Sequence, residues 1–499
     1  MRREWWALAA LAALLRLLPG PRTIDDAFIT FRYSRHLAEG QGFVYNLGEA
    51  VLGTTTPLYA LLMAVLGALF GDHYPTYALI VNALADAAGV VFLAAIAHQV
   101  TGHAGLAYWL GALWAVAVFS VTFAVGGMET SLHNLWMLAA WWAYLNDRPR
   151  LLGALCALGV LTRPDALLWA LPLLAHQLYR KWQTRRALPW PTWGVGLLTV
   201  APWMLFALAT FGSPIPQTVS TKAQVYQLDP LQALIALLQH YASPFQEPLL
   251  FGAPAIGLGL VLYPALHLIG LRWGAGREGR LLPILLYPWL YFVVFAGQNP
   301  LMFRWYFTPP LPAYFLGIVL GVYALTSLKP AWQGRIVAAL ALLTLVTSLS
   351  AWEWRPDHGP ARPAPQMAFH ELELHYQEMV ERLQAQHGLN EESRVVAADI
   401  GAVGYYSRAY ILDTIGLVTP GTLPYYQDQV ALAAWRVEGQ NYAIPPDLVL
   451  DWAPDYIIVM EGFIRLGLAQ DPRFMARYEA LEFIPTDYYG EGMLAFRKK

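Results

Sequence analysis

From Trp5 to about Ser350 one apolar segment follows another with only short polar breaks, among them "YALIVNALADAAGVVFLAAIA", "WGVGLLTVAPWMLFALATF" and "IVAALALLTLVTSLSAW". A run near 20 residues crosses a bilayer as a helix, because the hydrocarbon leaves backbone groups no partner outside the helix itself. By that rule the sequence predicts a polytopic α-helical membrane protein with about 11 or 12 transmembrane helices, several short or broken by Gly and Pro. Composition agrees, since 57% of the 499 residues are hydrophobic and 13% are charged, against about a quarter charged in soluble chains. The N-terminal "MRREWWALAALAALLRLLPG" has the basic start and apolar middle of a secretory signal. It shows no small-residue cleavage site, and Pro19, Gly20 and Pro21 mark a helix end, so a retained first membrane helix is expected.

Lysine and arginine cluster at Arg2 and Arg3, in "NDRPR", in "YRKWQTRR" and in "LRWGAGREGR", and the positive-inside rule assigns these to the cytoplasmic side. The loop of residues 21–57 then faces outward. Strict alternation gives the wrong parity between Pro57 and Thr130, which a short, re-entrant or split helix there would repair. A net charge of -2 offers no basic surface for nucleic acid. The single cysteine, Cys156, lies in an apolar run and reads as a packing residue.

After about Trp352 the character changes. "ELELHYQEMVERLQAQHG" has the pattern of a charged amphipathic helix, "SRVVAADIGAVGYYS" reads as a buried strand with a small-residue turn or helix, and "PDYIIVME" as another strand. The sequence therefore divides into a membrane part over 1–351 and a C-terminal soluble α/β domain over 352–499 on the extracytoplasmic side.

Chemistry concentrates at the outward mouths of the spans. Asp25 and Asp26 follow the first apolar run directly, with Arg32 behind them at helical spacing. A carboxylate at an apolar interface is a natural general base, because partial desolvation raises its proton affinity; the alternative is a helix N-cap, a position that favours Asp. Glu129 and His133 stand four apart on one helical face, too few for a metal site. Arg163 and Asp165 flank a proline at another mouth, where ionisable groups are costly unless paired or functional. Lys222, beyond a proline-broken turn, and Arg304, among aromatics, are cations at an apolar surface, where the available anion is a phosphate of bulk lipid or of a substrate. No GxGxxG, Walker, CxxC or HExxH motif accompanies a suitable element, so a soluble nucleotide or zinc enzyme is disfavoured.

These pieces together resemble a known family. "DDAFITFRYSRHLAEGQGFVYNLGEAVLGTTTPLYALL" is similar to the opening of the GT-C polytopic glycosyltransferases of the mycobacterial terminal arabinofuranosyltransferase type. "GGMETSL", "LTRPDALL", "FGSPIPQTVSTK" and "ADIGAVGYYSRAYILDTIGLVTP" resemble its later segments in the same order, from Thr23 to Pro420. Ala166, Gln217 and the run Thr54, Thr55 and Thr56 depart from the pattern and bear on sugar and acceptor choice. The resemblance implies a GT-C-like fold and transfer of a sugar, such as arabinofuranose or mannose, from a polyprenyl-phosphate donor to a hydroxyl of a cell-envelope glycan or lipid, at the outer face of the cell (inner) membrane. One carboxylate base gives inversion, and the lipid phosphate leaves without a general acid. On this reading Asp25 or Asp26 is the base, Lys222 and Arg304 hold phosphate with Arg163, and Arg32, Glu129, His133 and Asp165 line the substrate site. No cofactor is required, although adjacent acids offer a place for a divalent cation. A transporter or flippase of lipid-linked sugars is the alternative from another class; it predicts symmetry between two halves, which the sequence lacks, and charges in mid-span. A protein O-glycosyltransferase of the same fold is the other.

Overall fold

The computed structural model describes residues 3–226, 231–245, 248–276, 279–297, 302–352, 371–486 and 490–499. The boundary expected near 351 therefore falls beside residues outside the described ones. Helix α1 (Glu4–Leu17) leads through an extended segment to α2 (Asp25–Ala38). The membrane part then continues through α3 (Pro57–Phe70), α4 (Tyr74–Thr101), α5 (Ala104–Val116), α6 (Val118–Val125), α7 (Thr130–Leu145), α8 (Pro149–Thr162), α9 (Leu167–Gln183) and α10 (Trp190–Phe211). After α11 (Gln217–Val225) and α12 (Gln232–Ala242) come α13 (Pro248–Ala275), α14 (Leu282–Gly297), α15 (Leu311–Thr326) and α16 (Pro330–Leu349). Among the described residues five helices are long and apolar enough to cross a membrane, or six if the bent pair α5 and α6 is one span. The remaining apolar runs form shorter helices such as α3, α8 and α14. The α5–α6 break, bent by 44°, lies in the stretch where alternation from the basic clusters failed.

Two physical devices hold the bundle. At α13 and α15 the backbones touch, since a Cβ on Gly270 would fall 2.1 Å from the Gly317 carbonyl and one on Gly321 2.0 Å from that of Leu266; only glycine permits that approach, and dispersion over the close contact takes the place of a hydrophobic drive that lipid cannot supply. The other is a buried ion pair, Arg16 Nε to Asp86 Oδ2 at 2.6 Å. The same Asp86 oxygen accepts from the hydroxyls of Ser120 and Ser131, tying α1, α4, α6 and α7 at one point. Helices α10 and α16 instead present leucines outward, Leu197, Leu198, Leu342 and Leu343 among them, as a lipid-facing surface requires.

The C-terminal part begins with α17 (Glu371–His387) and carries one five-stranded sheet in the order β2-β1-β3-β5-β4, with β1 Arg394–Ala397, β2 Tyr410–Asp413, β3 Tyr456–Met460, β4 Tyr478–Pro485 and β5 Gly492–Lys498. β1 runs parallel to both β2 and β3, whereas β5 is antiparallel to β3 and β4. Between β1 and β2 sits the short helix α18 (Gly401–Ser407), which lies on α2.

That contact is built from α2 and the loop behind it. Arg32, buried, donates from Nη1 to the Gly404 carbonyl at 2.6 Å, from Nη2 to that of Ala409 at 2.7 Å, and from Nε to that of Tyr45 at 2.8 Å. Asn46 acts as a pseudo-strand on the sheet edge, since its amide nitrogen donates to the Ile411 carbonyl and its oxygen accepts the Ile411 N–H. An edge strand left open is an aggregation hazard, and here one side chain covers it. Replacing Arg32 by Met strands three buried carbonyls, each costing about 1–3 kcal/mol when left unpaired. The variant is expected to unfold at a temperature several degrees lower in detergent, with faster amide exchange in α18 and β2; unchanged exchange there would show that the docking does not depend on this guanidinium.

Candidate functional site

The extended segment before α2 is pinned to the turn after α6, where Arg22 N donates to the Val125 carbonyl at 2.9 Å and Ile24 N to that of Gly126 at 3.0 Å. Asp25 and Asp26 thus open α2 at the junction of the two parts of the molecule. Successive helical residues point about 100° apart, and the two acids accordingly meet different surroundings.

Asp25 is buried and takes no part in capping its own helix. Its Oδ2 accepts the Gly401 N–H at 2.9 Å and its Oδ1 the Ala402 N–H at 2.7 Å, so it caps α18 of the C-terminal domain. Gly401 permits this, since a Cβ there would meet the Asp25 carbonyl at 1.8 Å. The backbone N–H of Asp25 donates in turn to Glu373 Oε1 of α17 at 2.8 Å. Burial, with the charges of Asp399 and Asp26, pushes the Asp25 carboxyl up, against the pull of the two amides.

Asp26 points the other way, with its side chain 29% exposed and Lys222 Nζ of α11 at 3.7 Å from Oδ2. Lys222 lies 5.1 Å from the centre of the Phe303 ring. Although desolvation opposes it, the charge of Asp26 and the phenols of Tyr226 and Tyr306 raise the lysine above its ordinary range. Around the two acids a cleft is closed by Tyr226, Trp305, Tyr442 and Asp399. Asp399 accepts from the Tyr376 hydroxyl at 2.6 Å; burial raises its carboxyl to about 6 despite that bond, with Asp26 and Asp413 adding to the rise.

The other residues singled out in the sequence fall into a second group. Arg163 donates from Nη1 to Glu129 Oε1 at 3.0 Å and forms a fork with Asp165 at 2.9 Å through both Nε and Nη2. His133 accepts from Trp169 Nε1 at 3.3 Å. Glu129 feels the charge of Asp26, but Glu129, His133, Arg163 and Asp165 are not among the residues lining the cleft, and the cation of the cluster is already shared by two carboxylates. Arg304 stands over the Phe119 ring at 5.9 Å. Arg32 lies outside the cleft, in the α2–α18 contact. Gln217, one of the departures from the family pattern, donates to the Gly416 carbonyl at 2.6 Å, so it too meets the C-terminal domain. Asp413 is fully buried and accepts the N–H groups of Ile415, Leu417 and Val418, a turn-forming role.

Two carboxylates of the cleft come from the C-terminal domain: Glu373, which was not among the expected site residues, and Asp399, which the sequence leaves open as a polar contact or a turn residue. Glu373 looks like one more charge of an amphipathic helix, but it falls on the buried face with Leu372, Tyr376, Met379, Val380 and Leu383; a charged residue on that face was the available signal. Asp399 follows β1, where side chains at a parallel strand's end meet a crevice. Among the described residues no three His, Cys, Asp or Glu side chains are placed to hold a metal ion. The Asp25 oxygens accept two amides and Asp26 faces a lysine.

Residues 366–495 match the family described as a domain of unknown function (DUF8728). Over 286 residues the chain is 29% identical to the terminal beta-(1->2)-arabinofuranosyltransferase of Mycobacterium tuberculosis, a match covering 52% of this chain and 44% of the relative. The fold is similar to that of ArnT from Cupriavidus metallidurans. The apo structure matches at a TM-score of 0.59 and 13% identity over 98% of this chain and 97% of ArnT. The structure bound to undecaprenyl phosphate matches at 0.54 and 15% over 99% and 97%. The chain thus bears the GT-C resemblance in sequence and in fold, and it is an integral membrane protein.

The different surroundings of the two aspartates predict unequal sensitivities. Asp25→Asn weakens a buried cap, a loss of about 0.5–2 kcal/mol, and lowers the melting temperature; Asp26→Asn removes one part-exposed pair, worth about 1 kcal/mol at most, and leaves it nearly unchanged. Asp399 adds a pH dependence. Its folded carboxyl keeps its proton up to about pH 6, above the ordinary range of about 3.9, so stability from this group is present at low pH and lost as pH rises through 6. Thermal melts of Asp399→Asn are expected to gain on the wild type between pH 4 and pH 7; a constant difference contradicts this.

Proposed function

We propose that this chain is a glycosyltransferase that moves a sugar from a polyprenyl-phosphate donor to a hydroxyl of a cell-envelope glycan or lipid, with inversion, at the extracytoplasmic face of the cell (inner) membrane. The observation that carries this reading is the pairing across one cleft of an accessible carboxylate, Asp26, with a cation, Lys222, while the neighbouring Asp25 is bound to amides. Names of similar proteins support it: the curated relative is an arabinofuranosyltransferase, and the ArnT structure holds undecaprenyl phosphate. Arabinofuranose is accordingly the first sugar to test, and mannose the second.

In the proposed step the acceptor hydroxyl gives its proton to Asp26 as its oxygen attacks the anomeric carbon. The new C–O bond forms on the face opposite the phosphate, and the bond from the anomeric carbon to the phosphate oxygen breaks. The electron pair leaves with that oxygen, giving polyprenyl phosphate. Charge growing on the phosphate is met by Lys222 and Arg304, a preorganised positive field. Asp25 holds α18, and with it the β1 end that carries Asp399, at a fixed distance from the base. Glu129, Asp165 and His133 are proposed to receive sugar hydroxyls, with Arg163 holding the two carboxylates in place. Arg32 is proposed to act as a positioning residue through α18.

Transfer of labelled sugar from a panel of polyprenyl-phosphate donors tests this, with donor binding followed in parallel. Asp26→Asn is expected to bind donor as the wild type does and to lose about 10²–10⁴-fold in turnover, the ordinary contribution of a general base. Lys222→Gln is expected to weaken donor binding as well. Absence of donor binding by the wild type, together with full tolerance of Asp26→Asn, sinks the proposal and favours the transporter reading.

A further inference from the structure

A second cavity lies at the far end of the bundle from the cleft. Helix α7 leaves Glu129 and runs 16 residues to Leu145, about 24 Å at 1.5 Å per residue. α8 returns from Pro149 to Arg163, and α9 runs out again to Gln183. At the ends remote from the cleft a cavity of about 370 Å³ is bounded by Arg148, Arg180, Lys181, Arg186 and Arg280, with Asp147 as its carboxylate among the described residues. That is far more than one water needs, about 30 Å³ in the liquid.

Among the described residues of its wall the cations outnumber the carboxylates. Arg280 donates to Asp147 at 2.9 Å and to the Leu145 carbonyl at 3.0 Å, and Arg180 reaches the Tyr144 hydroxyl. Asp147 is thereby taken, and Arg148, Lys181 and Arg186 have no carboxylate partner among the described residues. Cations held around one concavity repel one another, a cost an anion would relieve. Gln177 and Thr184 add neutral hydrogen-bonding groups to the wall. Along the same stretches of chain Leu151, Tyr179, Trp182, Leu188 and Trp190 are exposed, and a mixture of aromatic and basic side chains is found at the headgroup level of a bilayer.

We propose that this cavity is a phosphate-binding site on the membrane face opposite the cleft, which the positive-inside rule makes the cytoplasmic one, and that its ligand is a phosphate anion carried by a lipid headgroup or free in solution. Basic pockets between membrane helices on that side suit anionic headgroups. The site is independent of the sugar-transfer reading, since none of its residues borders the cleft.

The test uses full-length protein in mixed micelles of equal phosphatidylglycerol and phosphatidylcholine, with native mass spectrometry counting retained lipid. A variant Arg148→Gln/Lys181→Gln/Arg186→Gln is compared with Arg3→Gln/Lys329→Gln/Arg335→Gln, which removes the same charge elsewhere. The wild type and the control variant are expected to retain phosphatidylglycerol over phosphatidylcholine by about tenfold or more, and the cavity variant to show no preference. If lipid preference is absent but millimolar inorganic phosphate or pyrophosphate raises the melting temperature of the wild type and control and not of the cavity variant, the anion site stands and its ligand is soluble. If neither probe acts on the wild type, or the two variants behave alike, the proposal is overturned.

Discussion

The carboxylate of Asp25, accepting the N–H groups of Gly401 and Ala402, is the bond on which the arrangement depends. It joins the first residue of α2 to the first turn of α18 in the C-terminal domain, where its two oxygens meet amides that have no partner within their own helix. Everything near the cleft is placed relative to that joint. α17 adds Glu373 on the Asp25 amide, Arg32 fixes the other end of α18, and the β1 end brings Asp399 across from Asp26. Neither part of the chain has a cleft alone, because one supplies Asp26 and Lys222 and the other the opposite wall.

Two adjacent acids that look equivalent in sequence therefore have different work. One is buried and saturated with amide donors, which fixes geometry. The other is accessible and faces a lysine across a polar opening, which leaves it able to accept a proton. A similar separation holds for the cations: Arg32 is spent on backbone carbonyls and Arg163 on two carboxylates, whereas Lys222 has one acid at 3.7 Å and an aromatic wall. For a reaction whose leaving group is an anion, a cation with capacity left for a new partner is the useful kind.

Much of this was legible in the residues. The apolar runs declare a membrane bundle, the change after Trp352 declares an α/β part, and the adjacent Asp25 and Asp26 do line a cleft. The roles within the cluster were not legible, because helical spacing says which residues share a face and not what that face meets. Arg32 at helical spacing behind two acids reads equally well as a substrate cation or a docking residue; the Gly404 and Ala409 carbonyls that decide it lie some 370 positions away. The span count depended on treating apolar runs as full crossings, whereas glycine and proline leave several as helices under 18 residues, such as α3 and α8. Arg16 and Asp86 each interrupt an apolar run, yet only the fold shows that they neutralise one another.

Azide rescue of Asp26→Asn asks most directly whether Asp26 is the proton acceptor in a cleft for a lipid-phosphate leaving group. Azide attacks without losing a proton, so a site lacking only its base is restored by it. Polyprenyl-phosphate arabinofuranose, or whichever donor of the panel the wild type consumes, is expected to be converted by Asp26→Asn plus azide into the inverted glycosyl azide, with an equal amount of polyprenyl phosphate released. Transfer to the ordinary acceptor at the wild-type rate by Asp26→Asn, with no azide product, would contradict it.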